Sequence, residues 1–205
     1  MANSNTQGFG LVAAMRVGNT PAISGQSKYE IDAGEANAIY NGEPVKVDIS
    51  ATTGGYIVTA AAGTAMVGTL NGVFYNDATT KKPTFANYYP AATTPANSED
   101  VTAFVNDDPF QEYIIATNAT LGATLALRKS KIGLTYATTA AAGDTSNGKS
   151  SVTLDISSAA TTAKQLRMVR IAEDVDNEDQ TAAYCSVVVK VNLHQYTVGS
   201  LATGI

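Results

Sequence analysis

The stretch FVNDDPFQEYIIATNAT, from Phe104 to Thr120, sets two adjacent carboxylates in front of a proline and an apolar run. Side-by-side acids ahead of a strand suit half of an acid/base pair, a metal clamp, or a turn. A hydrolase built on carboxylates needs a second acid across a cleft, held by a rigid scaffold. A clamp needs His or further carboxylates nearby. The residue before a proline is pushed out of the helical region, so Asp108 is extended. Asp107, or Asn106 before it, suits a hydrogen bond to its own turn backbone. Asn-Asp-Asp-Pro therefore reads as a turn that launches a strand over residues 110–117.

The same grammar of short β-rich run and turn recurs on both sides, while helical periodicity is scarce. KYEID (28–32) leads to the turn Asn41-Gly42, and PVKVDIS (44–50) alternates Val45, Val47 and Ile49 with Lys46 and Asp48. Gly54-Gly55 turns the chain into YIVTAAA (56–62). AMVGTLNGVFYND (65–77) carries Gly68 and Gly72, which read as bulges or close backbone contacts. Residues 120–136 fit either a short helix or two strands broken at Gly122 and Gly133. Val152, Leu154 and Ile156 alternate strictly, as do Leu166 and Met168, and AYCSVVVKVNLHQY (183–196) is the longest apolar run. The expected fold is all-β: a β-sandwich or barrel with long surface loops at 78–100 and 137–147. Residues 24–205 form a single β-rich domain in this reading. Residues 1–23 lack alternation and a helix cap, and read as an extended N-terminal arm carrying Phe9, Leu11 and Val12.

The chain of 205 residues is 44% hydrophobic but only 15% charged, against about 25% charged in an average soluble protein. Ala, Thr, Ser, Asn and Gly replace the missing charge, which suits a protein packed against neighbours. Net charge is −5. Nucleic-acid binding needs clustered Lys and Arg to displace counterions from phosphates. The two basic groups, Arg128, Lys129 and Lys131 and then Lys164, Arg167 and Arg170, are short. No nucleic-acid partner is expected. The start, MANSNTQGFG, lacks the features of a secretory signal, and no run approaches the ~18 apolar residues of a membrane helix. The expectation is a soluble protein made in a cytoplasm, with no membrane partner.

The remaining candidates for chemistry weaken on inspection. EDVDNEDQ (173–180) spaces Asp174, Asp176 and Glu178 at alternate positions, but a calcium loop from Asp174 would need Gly where Asp179 stands and Glu where Cys185 stands. A solvated acidic loop is expected. His194, the one histidine, reads as a strand-end side chain bonded to backbone rather than a catalytic base, and Cys185 as a buried hydrophobe. GTLNG (68–72) lacks the helix and Lys of a phosphate loop. No catalytic residue, metal or cofactor is expected, and the chain is not expected to be an enzyme.

Several stretches taken in order carry a resemblance: ANSNTQGFGLVAAMR at the start, NGEPVKV (41–47), VGTLNGVFYND (67–77), YYPA (88–91), VTAFVNDDPFQEY (101–113) and VVVKVNLHQY (187–196). Together, from Ala2 to Tyr196, they resemble a family of tailed-phage virion structural proteins, common among marine phages, that decorate or cement the capsid. Residues 120–182 follow that pattern only loosely. The resemblance implies a β-rich capsid accessory protein on the outer surface of the head, with the major capsid protein and copies of itself as partners. A trimer suits three-fold capsid sites better than a dimer. On this reading partner contacts fall at Phe9, Leu11, Val12, Arg16, Tyr88 and Tyr89. A tail- or fibre-associated virion protein, and a glycan-binding module stacking sugars on Tyr88-Tyr89, are the alternatives.

Overall fold

The structure, a computed structural model, describes residues 5–17, 20–21 and 25–197, the side chains of Thr20, Pro21 and Asp176 excepted. Twelve strands occur among them: β1 (Val12–Arg16), β2 (Thr20–Pro21), β3 (Ser27–Ile31), β4 (Pro44–Val47), β5 (Ile57–Thr59), β6 (Gly68–Asn76), β7 (Pro83–Ala86), β8 (Val101–Asn106), β9 (Gln111–Ala116), β10 (Thr135–Tyr136), β11 (Leu166–Ile171) and β12 (Ser186–Val191). They build two open antiparallel sheets packed together as a β-sandwich, not a closed barrel. One sheet runs β10-β11-β12-β9-β1-β2. The other runs β3-β8-β6-β4-β5, with β7 on β6. The single α-helix among the described residues, α1 (Leu125–Lys129), resolves the ambiguous stretch in favour of a helix, with Thr124 accepting at its N-terminus from Leu127 N–H.

The strand order explains the opening sequence. Strand β8 belongs to one sheet and β9 to the other, so Asn-Asp-Asp-Pro is the corner where the chain changes layer. Val105 on one side is buried with Ile31, Val45, Leu70 and Val101. Tyr113 and Ile115 on the other side are buried with Leu154, Met168, Val187 and Val189. The two clusters are the core on either side of the corner. Strand β9 sits between β12 and β1, and residues on both of its faces are buried, which is why its run is nearly continuous in apolar character rather than alternating.

Gly68 is required here by close approach. A Cβ on it would fall 2.0 Å from the Asn106 carbonyl oxygen, so β6 presses directly against the corner. Pairing between β6 and β8 then slips between Leu70 and Gly72, a bulge at Asn71.

Three expectations change. The N-terminal segment is not a free arm over its described part. Strand β1 pairs antiparallel with β9, Val12 opposite Ile114 and Ala13 opposite Tyr113, and Leu11 is a core residue at 2% exposure. The physical reason is that β9 has an open edge and the arm's own backbone satisfies it. Residues 1–4, 18–19 and 22–23 of that arm lie outside the described residues. Second, Val152, Leu154 and Ile156 are all buried as their alternation implies, yet no strand forms. Their backbone is divided among separate segments: Val152 accepts from Gly10, Leu154 donates to Ala116 at the end of β9, and the following Asp155 donates to Ala137. Third, the 78–100 excursion contains β7, which pairs with Val73–Asn76.

Candidate functional site

The corner gathers four of the side chains that sequence singled out: Asp107, Asp108, Arg16 and His194. Asp108 Oδ1 accepts from Phe110 N–H at 2.8 Å, and the Asp108 carbonyl accepts from Gln111 N–H at 3.0 Å. Asp108, rather than Asp107 or Asn106, thus closes the turn. Its Oδ2 lies 2.7 Å from Arg16 Nε, tying β1 to the corner. Asp107 Oδ2 accepts from the Tyr29 hydroxyl at 2.8 Å. Burial and the Asp107 carboxylate push the Tyr29 phenol well above its ordinary range. Tyr113 donates to the Asn106 carbonyl at 2.9 Å, and burial raises its phenol too. Every acid at the corner is engaged with the fold's own donors.

His194 completes this arrangement. It is 1% exposed. Nδ1 accepts from Tyr196 N–H at 3.2 Å, so the proton of the neutral ring sits on Nε2, which faces the Asp107 carbonyl at 3.1 Å. Burial holds its pKa below the usual histidine range. It staples the C-terminal segment to the corner as a neutral ring.

The acidic loop is built around Asn177, which is 3% exposed. Its amide donates to the Ala172 and Ser186 carbonyls, and its Oδ1 accepts from Ser186 N–H. Asp179 accepts from the Thr181 amide and hydroxyl, a local turn that depresses its pKa. Among the described residues no group of three His, Cys, Asp or Glu is placed to share a metal ion. Cys185 is fully buried, and burial raises its thiol pKa.

The residues expected to contact partners are scattered. Val12 is half exposed, with Met15, Val17 and Phe110 also exposed. Phe9 lines a cavity of about 340 Å³ with Asn5, Val12 and Ile114. Arg16 serves the corner. Leu11 and Tyr89 are buried and meet no partner surface: Tyr89 is at 0% exposure, its hydroxyl donating to the Glu35 and Thr93 carbonyls. Tyr88 stacks on Tyr40, ring centroids 5.2 Å apart and planes 3° apart, so one of its faces is covered by the chain itself.

Two features went unread in the sequence. One is an aromatic face on the outside of the β6 sheet. Phe74 on β6 and Phe104 on β8 alternate with the core residues Val73, Ala103 and Val105, so with Phe85 on β7 they lie on the outer face of the sheet, Phe74 and Phe104 half-buried and Phe85 exposed. The Phe74 and Phe85 centroids are 4.7 Å apart and those of Phe85 and Phe104 6.4 Å. Phe85 is 75% exposed. Gln26, Asn71 and Asn87 border the depression beside them. The other is Glu43, 7% exposed on the wall of a cleft of about 370 Å³. Its Oε2 accepts from Tyr40 N–H at 2.8 Å, closing the Asn41-Gly42 turn. Desolvation pushes its pKa up to about 7, against the smaller opposing effects of Tyr40 and the Thr59 hydroxyl.

Comparison of the chain with protein-family models, with curated proteins and with solved structures finds no match.

Proposed function

We propose that the chain is a viral structural protein, a decoration or cement protein that binds the outside of a tailed-phage head and stabilises contacts between major capsid proteins. The observation that carries the proposal is the aromatic face of Phe74, Phe85 and Phe104. An apolar patch led by the exposed Phe85, with Phe74 and Phe104 half-buried beside it and a polar border, has the make-up of a protein contact surface. Burying one phenylalanine contributes about 1.5–3 kcal/mol, and many copies arrayed on a shell convert such modest contacts into strong attachment. Low charge lowers the cost of desolvating the rest of the surface. The ordered likeness of residues 2–196 to phage virion structural proteins supports the same reading. The role is structural, with the major capsid protein and further copies of this chain as partners and no nucleic acid among them.

Phage heads lacking the protein, mixed with it and sedimented, provide the test. The full chain should co-sediment to a saturable stoichiometry, and Phe85→Ser should weaken attachment tenfold or more. Equal attachment by both proteins removes the aromatic face from the contact, and no attachment by either removes the capsid.

A further inference from the structure

Two glutamates are buried among the described residues, and they are treated differently. Glu112, 2% exposed, has its counter-ion: Arg170 Nη1 lies 2.8 Å from Glu112 Oε2. Glu43, 7% exposed, has none among the described residues, its partners being the Tyr40 amide and the Thr59 hydroxyl. A buried carboxylate without a cation is costly, and the usual remedies are a counter-ion or a proton. Unlike a carboxylate sealed in a core, Glu43 lines an open cleft of about 370 Å³, within the range of small-molecule sites. The opposing walls come from two loops, Ala60–Ala62 after β5 and Thr138–Ala142 after β10. Apart from two threonines at the start of the second loop, these walls present methyl groups. The result is a narrow apolar slot with a single anionic group recessed in it.

We propose that this slot receives an alkylammonium or alkylguanidinium group, the end of a lysine or arginine side chain or of a free polyamine. The methylene stem lies against the alanine walls, as long basic side chains do when they cover apolar surface. The cationic head forms a charge-assisted hydrogen bond to the carboxylate that the chain itself leaves without a counter-ion. The binding converts an unfavourable buried charge into a paired one, which is the arrangement Glu112 already has. The site is separate from the aromatic face of the β6 sheet and does not depend on the capsid role.

The test is a titration of the ¹⁵N-labelled full chain, followed by amide chemical shifts, with n-butylammonium, Nα-acetyl-lysine N-methylamide and putrescine as probes and 1-butanol as the neutral control. Saturable shifts confined to the amides of Ala60–Ala62 and Thr138–Ala142 are expected with the cations, at millimolar affinity, and at least tenfold weaker with butanol. Tighter binding of the lysine derivative than of putrescine assigns the slot to a protein side chain, and the reverse assigns it to a polyamine. Glu43→Gln, which keeps the shape and removes the charge, should abolish the difference between butylammonium and butanol. Ala141→Phe, which fills the slot and keeps the charge, should abolish binding of all the cations. No saturable shift at those amides, equal binding of butanol and butylammonium to the unsubstituted chain, or undiminished cation binding by Glu43→Gln overturns the proposal.

Discussion

Replacing Glu43 with glutamine should stabilise the protein near neutral pH and change the sign of its pH dependence. In the folded chain Glu43 titrates at about 7, up from an ordinary 4.5, because burial penalises the carboxylate. Between those values the folded state keeps a proton that the unfolded chain has released. Stability therefore falls as pH rises through that window and stays low above it. At about 1.4 kcal/mol for each pH unit, the loss amounts to about 3 kcal/mol, a large share of a typical 5–15. Glutamine carries no proton to lose. Its Oε1 can accept from Tyr40 N–H as the carboxylate does, and its amide can donate to Thr59. His194 works in the opposite direction, since burial holds its pKa below 6.5. The unfolded chain then takes up a proton first as pH falls, and stability is lost on the acid side. Urea unfolding of both proteins at about pH 5 and about pH 8, read by circular dichroism, gives the comparison. Near pH 8 the variant should be more stable by about 2–3 kcal/mol. Near pH 5 the two should nearly agree, and the variant's own stability should rise with pH. A variant no more stable than the parent near pH 8, or a parent whose stability does not fall relative to it across the window, would refute the buried, unpaired carboxylate.

Other perturbations test other parts. Asp108→Ala removes the cap on Phe110 N–H and the contact with Arg16, and should cost about 1–2 kcal/mol in urea unfolding. Gly68→Ala places a methyl group against the Asn106 carbonyl and should cost about 1–3 kcal/mol or more, which thermal unfolding reads directly. Deleting residues 2–17 uncovers the edge of β9 and removes Leu11 from the core, whose loss alone costs about 2–5 kcal/mol. The truncated chain should be less stable and prone to associate, as size-exclusion chromatography would show. Cys185 should react with a thiol reagent only as fast as the protein unfolds. Rapid labelling of the native protein would contradict its burial.

The turn at Asp107-Asp108 was legible because proline and the Asx side chains act locally, and neither needs tertiary information. Most strands were legible for the same reason, and the glycine at 68 signalled a close contact without naming its partner, the Asn106 carbonyl. What was not legible depended on distant partners. The alternation at Val152, Leu154 and Ile156 reports burial, but whether an extended segment becomes a strand depends on a neighbour running alongside it. Here the end of β9 and two loops share the role. The arm was misread because a segment of small residues shows no periodicity of its own, and its place beside β9 is set by that strand's open edge. Tyr88-Tyr89 drew notice as a pair, yet only burial separates the core tyrosine from its stacked neighbour. Phe74, Phe85 and Phe104 lie on three strands and converge only in the folded sheet. Glu43, between the Asn41-Gly42 turn and the strand at 44–50, drew no reading, and its missing counter-ion is visible only in three dimensions.

Electron cryomicroscopy of intact virions tests the proposed role most directly. The prediction is many symmetric copies of this sandwich on the outside of the head, with Phe74, Phe85 and Phe104 buried against the major capsid protein. Density for the chain only in the tail, or on the head with that face turned to solvent, would contradict it.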